Sequence, residues 1–235
     1  MAFQKFAILD FRLTAQDTYV VKVRPIESDH VFSFLPGQFC RLKNPNYEKT
    51  EEPHMFSITS SPHTKDYLEF CLKVYGNWTR ALIDGKVGDT LLLSGPYGRT
   101  ILDDSIKYLV LLIGGVGIAP AISLLRYVKE EAKPIIIDLL YGNRNQETSA
   151  YKDEIDQLYK SIKGKVVHVL SHLSETDQWD GYKGFISEEI IKKEVNLSAD
   201  PTFYMCGPLI FIQKMEVALK NLGIPEERIK KEIVT

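Results

Sequence analysis

The chain has 235 residues, 44% of them hydrophobic and 26% charged. That balance belongs to a globular protein and excludes wholesale disorder, which needs low hydrophobicity and high net charge. The 29 basic and 31 acidic residues leave a formal charge of −2, without the basic excess of a nucleic-acid binder.

The three cysteines, Cys40, Cys71 and Cys206, are odd in number and far apart. They predict neither a disulfide framework nor a zinc or iron–sulfur site, so no metal is expected. The first residues have no apolar core of signal-peptide length, and no run reaches the roughly 18 apolar residues of a membrane span. A soluble cytoplasmic protein is the expectation.

Residues 1 to about 100 carry short alternating runs broken by turn residues. Segments 18–23, 38–42, 67–75 and 90–94 read as strands. Pro36-Gly37, Asn44-Pro45, Ser61-Pro62, Gly88-Asp89 and Gly95-Pro96 punctuate them. This predicts an antiparallel barrel or sandwich, with a short helix over 78–83. From about residue 105 strands and helices alternate. The apolar run 108–113 enters Gly114-Gly115-Val116-Gly117-Ile118-Ala119-Pro120, and a helix follows with Ala121, Leu124, Leu125 and Val128 on one face. A second strand is expected over 134–140, then a helix marked by Tyr151, Ile155, Leu158 and Ile162. A third strand falls at 165–170. Ser187 reads as an N-cap, with Glu188 and Glu189 in the first turn. After a fourth strand at 202–206, Leu209, Ile212, Met215 and Leu219 mark a last helix that stops at Gly223 before Pro225. The second half is thus a parallel α/β domain. The expected division gives domains of 1–102 and 103–235.

In an open parallel sheet, ligands sit beyond the carboxyl ends of the strands. Three such ends stand out: the Gly114–Pro120 turn, Tyr141-Gly142-Asn143-Arg144, and Cys206-Gly207-Pro208. Strand, glycine turn and helix aim backbone N–H groups at a phosphate. The motif is G-x-G-x-x-P, with Pro120 where the usual fingerprint has a glycine or alanine, and a turn that packs and binds nothing is the other reading. Arg144 suits either a 2′-phosphate, favouring NADPH, or a solvated loop. Asp138 lies about 20 residues past the turn, as a ribose-binding acid would, but inside an apolar strand, and receives no such role. In the first half, the hydroxyl-dense 53–62 segment and Gly76-Asn77-Trp78-Thr79 offer an aromatic platform in Phe56 and donors for a pyrophosphate. Cys40 and Cys71 read as buried small hydrophobes and His168 and His172 as structural.

In this order the segments resemble the ferredoxin–NADP reductase superfamily over essentially the whole chain. Pro36-Gly37-Gln38-Phe39 resembles the strand before the flavin site. His54-Met55-Phe56-Ser57 stands in place of the Arg-x-Tyr-Ser/Thr flavin motif, and Gly76-Asn77-Trp78-Thr79 resembles the pyrophosphate motif. Gly95-Pro96-Tyr97-Gly98 resembles the barrel's closing segment, and Gly114–Pro120 and Cys206-Gly207-Pro208 the two nicotinamide-nucleotide motifs. The resemblance implies an N-terminal antiparallel β-barrel that binds FAD and a C-terminal α/β parallel-sheet domain that binds NADPH or NADH. It implies Phe56 against the flavin ring, Ser57 as a catalytic residue near flavin N5, and His54 at the pyrophosphate. Met55, Ile58 and Thr59 would belong to the same flavin site. Lys73, Val74 and Tyr75 would lead to the phosphate contacts of Gly76, Asn77, Trp78 and Thr79. Gly114, Gly115, Val116, Gly117, Ile118 and Pro120 would meet the nicotinamide nucleotide, with Asn143, Arg144, Gly207 and Pro208. Cys206 would be the second catalytic residue, beside the nicotinamide.

The implied activity is hydride transfer from NAD(P)H to FAD, with electrons passed to a separate acceptor, either a protein such as ferredoxin, flavodoxin or an oxygenase component, or a small molecule such as a ferric chelate or free flavin. A non-catalytic electron-transfer subunit of a larger complex and a flavin-free module are the alternatives. The His-x-Phe-Ser variant is similar to the dehydrogenase domains of NADPH oxidases and ferric reductases. A neutral His54 holds phosphate less well than an arginine. The 229–235 segment lacks the family's terminal aromatic, so Val234 or a partner is expected over the flavin, or an open face. Neither a transmembrane haem domain before the barrel nor a cysteine cluster after it is read from the chain.

Overall fold

The computed structural model describes residues 2–47, 52–103, 105–174 and 177–234; Thr235 of the terminal segment lies outside them. The chain divides into two units: Met1–Thr100 with Ala119–Tyr127, and Ile101–Ile118 with Val128–Thr235.

In the first unit β1 (Gln4–Ala15), β2 (Thr18–Pro25), β3 (Phe39–Lys43), β4 (His54–Ser57), β5 (Leu68–Lys73) and β6 (Thr90–Tyr97) form one antiparallel sheet, in the order β4-β3-β6-β1-β2-β5. An isolated bridge from Ile58 to Phe70 joins the two edges, so the sheet curls into the expected barrel. Phe6, Ile8, Val21, Val23, Leu42, Phe70, Leu72, Leu91 and Leu93 fill it. Helix α1 (Asn77–Ile83), between β5 and β6, lays Trp78 and Leu82 into the same core. The sequence did not disclose β1 or β4. Register shifts at Ile8/Asp10 and Leu13/Ala15 break the two-residue alternation of β1, and β4 has only four residues.

In the second unit β7 (Tyr108–Gly114), β8 (Ile136–Asn143), β9 (Val166–Leu170), β10 (Tyr182–Lys183), β11 (Thr202–Gly207) and β12 (Ile229–Ile233) form a parallel sheet, in the order β10-β9-β8-β7-β11-β12. The four expected strands are present; β10 and β12 are additional. The helices of this unit are α3 (Lys152–Leu158), α4 (Glu188–Glu194) and α5 (Leu209–Asn221), while Ala119–Tyr127 of α2 (Ile118–Glu130) falls in the first unit. All four apolar positions expected of α2 are buried. Ser187 caps α4 by accepting the Ile190 N–H. Gly223 closes α5 at φ +73°, with Ile224 N–H bonded to the Leu219 carbonyl. One expectation is corrected. Tyr151 stands at the α3 cap in the left-handed region, φ 58°, and Ile162 packs from beyond the helix end. Leu209 opens α5 and is exposed; the buried face is Ile212, Met215, Ala218 and Leu219. Among the described residues no helix is long and apolar enough to cross a membrane.

Candidate functional site

Within the first unit, the candidate flavin site is built on β4 and α1. Alternation along β4 turns His54 and Phe56 to one side, where both meet Trp78. The His54 and Trp78 rings stack at 4.4 Å, and Phe56 and Trp78 at 5.5 Å. Burial lowers the His54 pKa against the opposing pull of Glu52, so the imidazole is neutral at pH 7. Ser57 pairs with Phe39 across β3.

Ile58 is fully buried and its N–H is bonded to the Gln38 carbonyl. Thr59 is also fully buried; its N–H meets the Glu69 carbonyl and its hydroxyl donates to Glu69 Oε1 at 3.0 Å. The side chains of both residues are therefore committed to the barrel. Met55 and Tyr75 are exposed, Val74 N–H bonds the Asp17 carbonyl, and the Lys73 amine sits 5.2 Å from the Tyr75 ring centroid.

Gly76 caps α1 in extended backbone, and a Cβ there would meet nothing within 4 Å. The Thr79 hydroxyl accepts the N–H groups of Tyr75 and Gly76 and donates to the Gly76 carbonyl. That hydroxyl is engaged inside its own turn. A helix start with no capping side chain leaves its first N–H groups without intrahelical partners, and here these belong to Asn77 and Trp78. Open space, free donors and a ring ladder fit a dinucleotide's phosphates and planar ring.

At the sheet's carboxyl edge, Gly114 lies level with Gly142. Gly115 has φ +54° and open space where a side chain would stand. Gly117 differs: a Cβ would lie 2.4 Å from the Cys206 carbonyl oxygen. Only glycine lets this turn sit against β11. Gly114 and Gly207 are covered by the Phe211 ring, which would lie 3.0 and 2.7 Å from their Cβ positions. Val116 is half-buried, Ile118 and Pro120 are buried, and Pro208 is exposed at the start of α5.

Cys206 is fully buried. Desolvation, aided by the Glu232 carboxylate, raises its pKa, so it remains a thiol. Glu232 lies opposite Cys206 on β12 and accepts a 2.7 Å hydrogen bond from the Tyr204 hydroxyl. Arg144 is exposed. Asn143 is 7% exposed, and neither its Nδ2 nor its Oδ1 has a partner. A buried amide costs free energy unless it is hydrogen-bonded, so an orphaned one at a sheet's carboxyl edge fits a ligand that completes it. Asp138 accepts the Tyr108 hydroxyl and the Lys165 N–H. Among the described residues no group of acidic, histidine and cysteine side chains could hold a metal.

Sequence reasoning did not single out Phe211, Tyr204 or Glu232. Gly114 and Gly207 were expected to let the nicotinamide nucleotide approach; the ring that lies over both is Phe211.

An antiparallel flavin-type barrel and a parallel nucleotide-type sheet define a two-domain oxidoreductase fold. Residues 6–101 match the oxidoreductase FAD-binding domain and residues 111–216 the oxidoreductase NAD-binding domain. The chain carries an oxidoreductase FAD-binding domain followed by an oxidoreductase NAD-binding domain, in the two-domain fold of ferredoxin reductase-like proteins. It is 32% identical to the reductase component of propane 2-monooxygenase from Mycolicibacterium goodii, over 91% of this chain and 62% of that protein. It is 28% identical to the anthranilate 1,2-dioxygenase electron transfer component of Acinetobacter baylyi, over 87% of this chain and 60% of the relative. The chain thus spans about three fifths of the length of these relatives. The FAD/NAD-binding domain of a nitric oxide dioxygenase from Vibrio cholerae shares the fold, with a TM-score of 0.87 at 19% identity, over 100% of this chain and 99% of that one.

Proposed function

We propose that this chain is an FAD-dependent NAD(P)H oxidoreductase that passes electrons to a separate acceptor protein. The observation that carries the reading is the orphaned Asn143 amide at the same sheet edge as the open Gly115 turn, in a chain whose other half matches an FAD-binding domain. FAD, when bound, supplies the ring that accepts hydride and releases electrons. The chain's residues bind and orient. Phe56 and Ser57 would hold the flavin ring, and the backbone N–H groups of Asn77 and Trp78 its phosphates. His54, neutral and stacked on Trp78, contributes little charge to phosphate binding. Gly115, Asn143 and Arg144 would hold the nicotinamide nucleotide. Cys206 would stay protonated near the nicotinamide, as a neutral packing group rather than a nucleophile.

A protein acceptor is favoured because the similar M. goodii protein is named as one component of an oxygenase. The division at 102/103 and a cytoplasmic location belong to the same proposal. The test is the visible spectrum of the chain supplied with FAD and titrated anaerobically with NADPH and with NADH. A flavin band that bleaches on either nucleotide is expected, and the more potent of the two fixes the role of Arg144. A chain that takes up no FAD overturns the reading. A band that never bleaches leaves an electron-transfer subunit in its place.

A further inference from the structure

Within the first unit, a polar network lies under the segment that follows Ser57. Arg126 Nη1 donates to Glu69 Oε1 at 2.7 Å and to the Thr59 carbonyl at 2.8 Å. Thr59 Oγ1 donates to the same carboxylate, and Ser60 Oγ accepts the Glu69 N–H at 3.2 Å. Ser123, one turn before Arg126 on α2, donates to the Ser60 carbonyl at 2.7 Å. The Glu69 side chain is 3% exposed and that of Arg126 17%.

The network is costly to build. Two charges are withdrawn from water, and well-packed apolar residues of the same volume generally stabilise as much or more. Nor is it needed to attach the segment, because strand pairing already takes the Ile58 and Thr59 N–H groups. What α2 adds is on the carbonyl side. Two donors three residues apart grip two consecutive carbonyls, Thr59 and Ser60, and so fix the peptide planes just beyond Ser57. Buried charged networks of this kind are best accounted for by the geometry they specify.

We infer that Arg126 is a positioning residue for the flavin edge: through the Thr59 carbonyl and Glu69 it sets the orientation of the 57–60 segment on which FAD binding depends. This rests on the flavin reductase reading above. Removing Arg126 alone strands a buried carboxylate, which would confuse misfolding with mispositioning. The experiment therefore compares wild type, Arg126→Met, Arg126→Lys and the double variant Glu69→Gln/Arg126→Met, which removes both charges and keeps an acceptor for Thr59. Each is read by melting without FAD, by fluorescence titration with FAD, and by the rate of flavin reduction against nucleotide concentration.

The expected result is that the double variant melts near wild type while its FAD Kd stays raised by about 10-fold or more and its maximal reduction rate falls, with KM for nucleotide unchanged. Arg126→Lys, which restores a cation without the forked geometry, should recover only part of the affinity. A double variant that binds FAD and is reduced as wild type is would overturn the inference and leave the reductase reading intact. A wild-type chain without FAD affinity overturns both.

Discussion

Replacing Gly117 by alanine would put a methyl carbon 2.4 Å from the Cys206 carbonyl oxygen, 2.6 Å from its carbon and 2.9 Å from the Gly207 nitrogen. Ordinary contacts lie near 3.5–4.0 Å, so the turn or the strand must retreat by about 1 Å. Neither yields easily. The obstructing atoms are backbone, and β11 is held in register between β7 and β12. Overpacking of this sort costs about 1–3 kcal/mol, and a rigid obstacle places it in the upper half, about 2–3 kcal/mol. For a chain of this length each kcal/mol moves the melting temperature by about 2–4 °C, so scanning calorimetry of the cofactor-free chain should show a fall of about 4–12 °C. Gly115→Ala is the control. It places a left-handed alanine in open space, so its strain is local and its methyl group lies where the nucleotide is proposed; KM for the nucleotide should rise. A Gly117→Ala chain melting within about 1 °C of wild type would refute the close approach of the turn to β11.

Asn143→Leu replaces an orphaned buried amide by an apolar group of similar size. Leaving such a group unpaired costs about 1–3 kcal/mol, so the cofactor-free variant should melt higher while its KM for nucleotide rises; a lower melting temperature would mean that the amide is satisfied in solution. His168 has its pKa lowered by burial, outweighing the neighbouring Asp156. The unfolded chain then binds the proton more readily, so the stability from a neutral His168 is complete above the ordinary value of about 6.5 and is lost as pH falls below it. Melting curves from pH 7.5 to 5.5 should be flatter for His168→Phe than for wild type, and equal slopes would remove the histidine from the account. Iodoacetamide at pH 8 should leave Cys206 unmodified in the native chain and alkylate it in urea, because burial keeps it a thiol; rapid native labelling, read by mass spectrometry, would show that this edge opens.

The parallel half was legible because β7, β8 and β11 are buried on both faces and read as continuous apolar runs. β12 was not: its Ile-Lys-Lys-Glu-Ile sequence is that of a half-exposed edge strand, where charge blocks unwanted pairing and erases the apolar signal. In the barrel, β1 lost its period to irregular register. The site followed the same division. Motifs carried by contiguous residues, such as the glycine turn, were visible, but the function of each side chain within them was not. Thr79 reads as a phosphate donor in sequence, yet its hydroxyl closes its own helix cap. The Glu69–Arg126 pair joins residues 57 positions apart, and no local pattern announces such a pair.

The glycines show why a motif of spacing alone divides poorly into binding and packing. Gly114, Gly117 and Gly207 lack side chains because protein atoms occupy the space: the Phe211 ring over two of them and the Cys206 carbonyl against the third. Gly76 and Gly115 have nothing within reach; Gly76 opens a helix whose first N–H groups have no intrahelical partner, and Gly115 follows the sheet edge that carries the buried, unpaired Asn143 amide. One letter in the sequence thus stands for two opposite requirements. Substitutions at the first group should act on melting before they act on affinity. At the second group the order should reverse, since a new side chain there meets ligand rather than protein. Gly115 adds left-handed strain to this, whereas Gly76, in extended backbone, adds none. Gly76 is therefore the position at which affinity for FAD can be probed with the least disturbance of the fold.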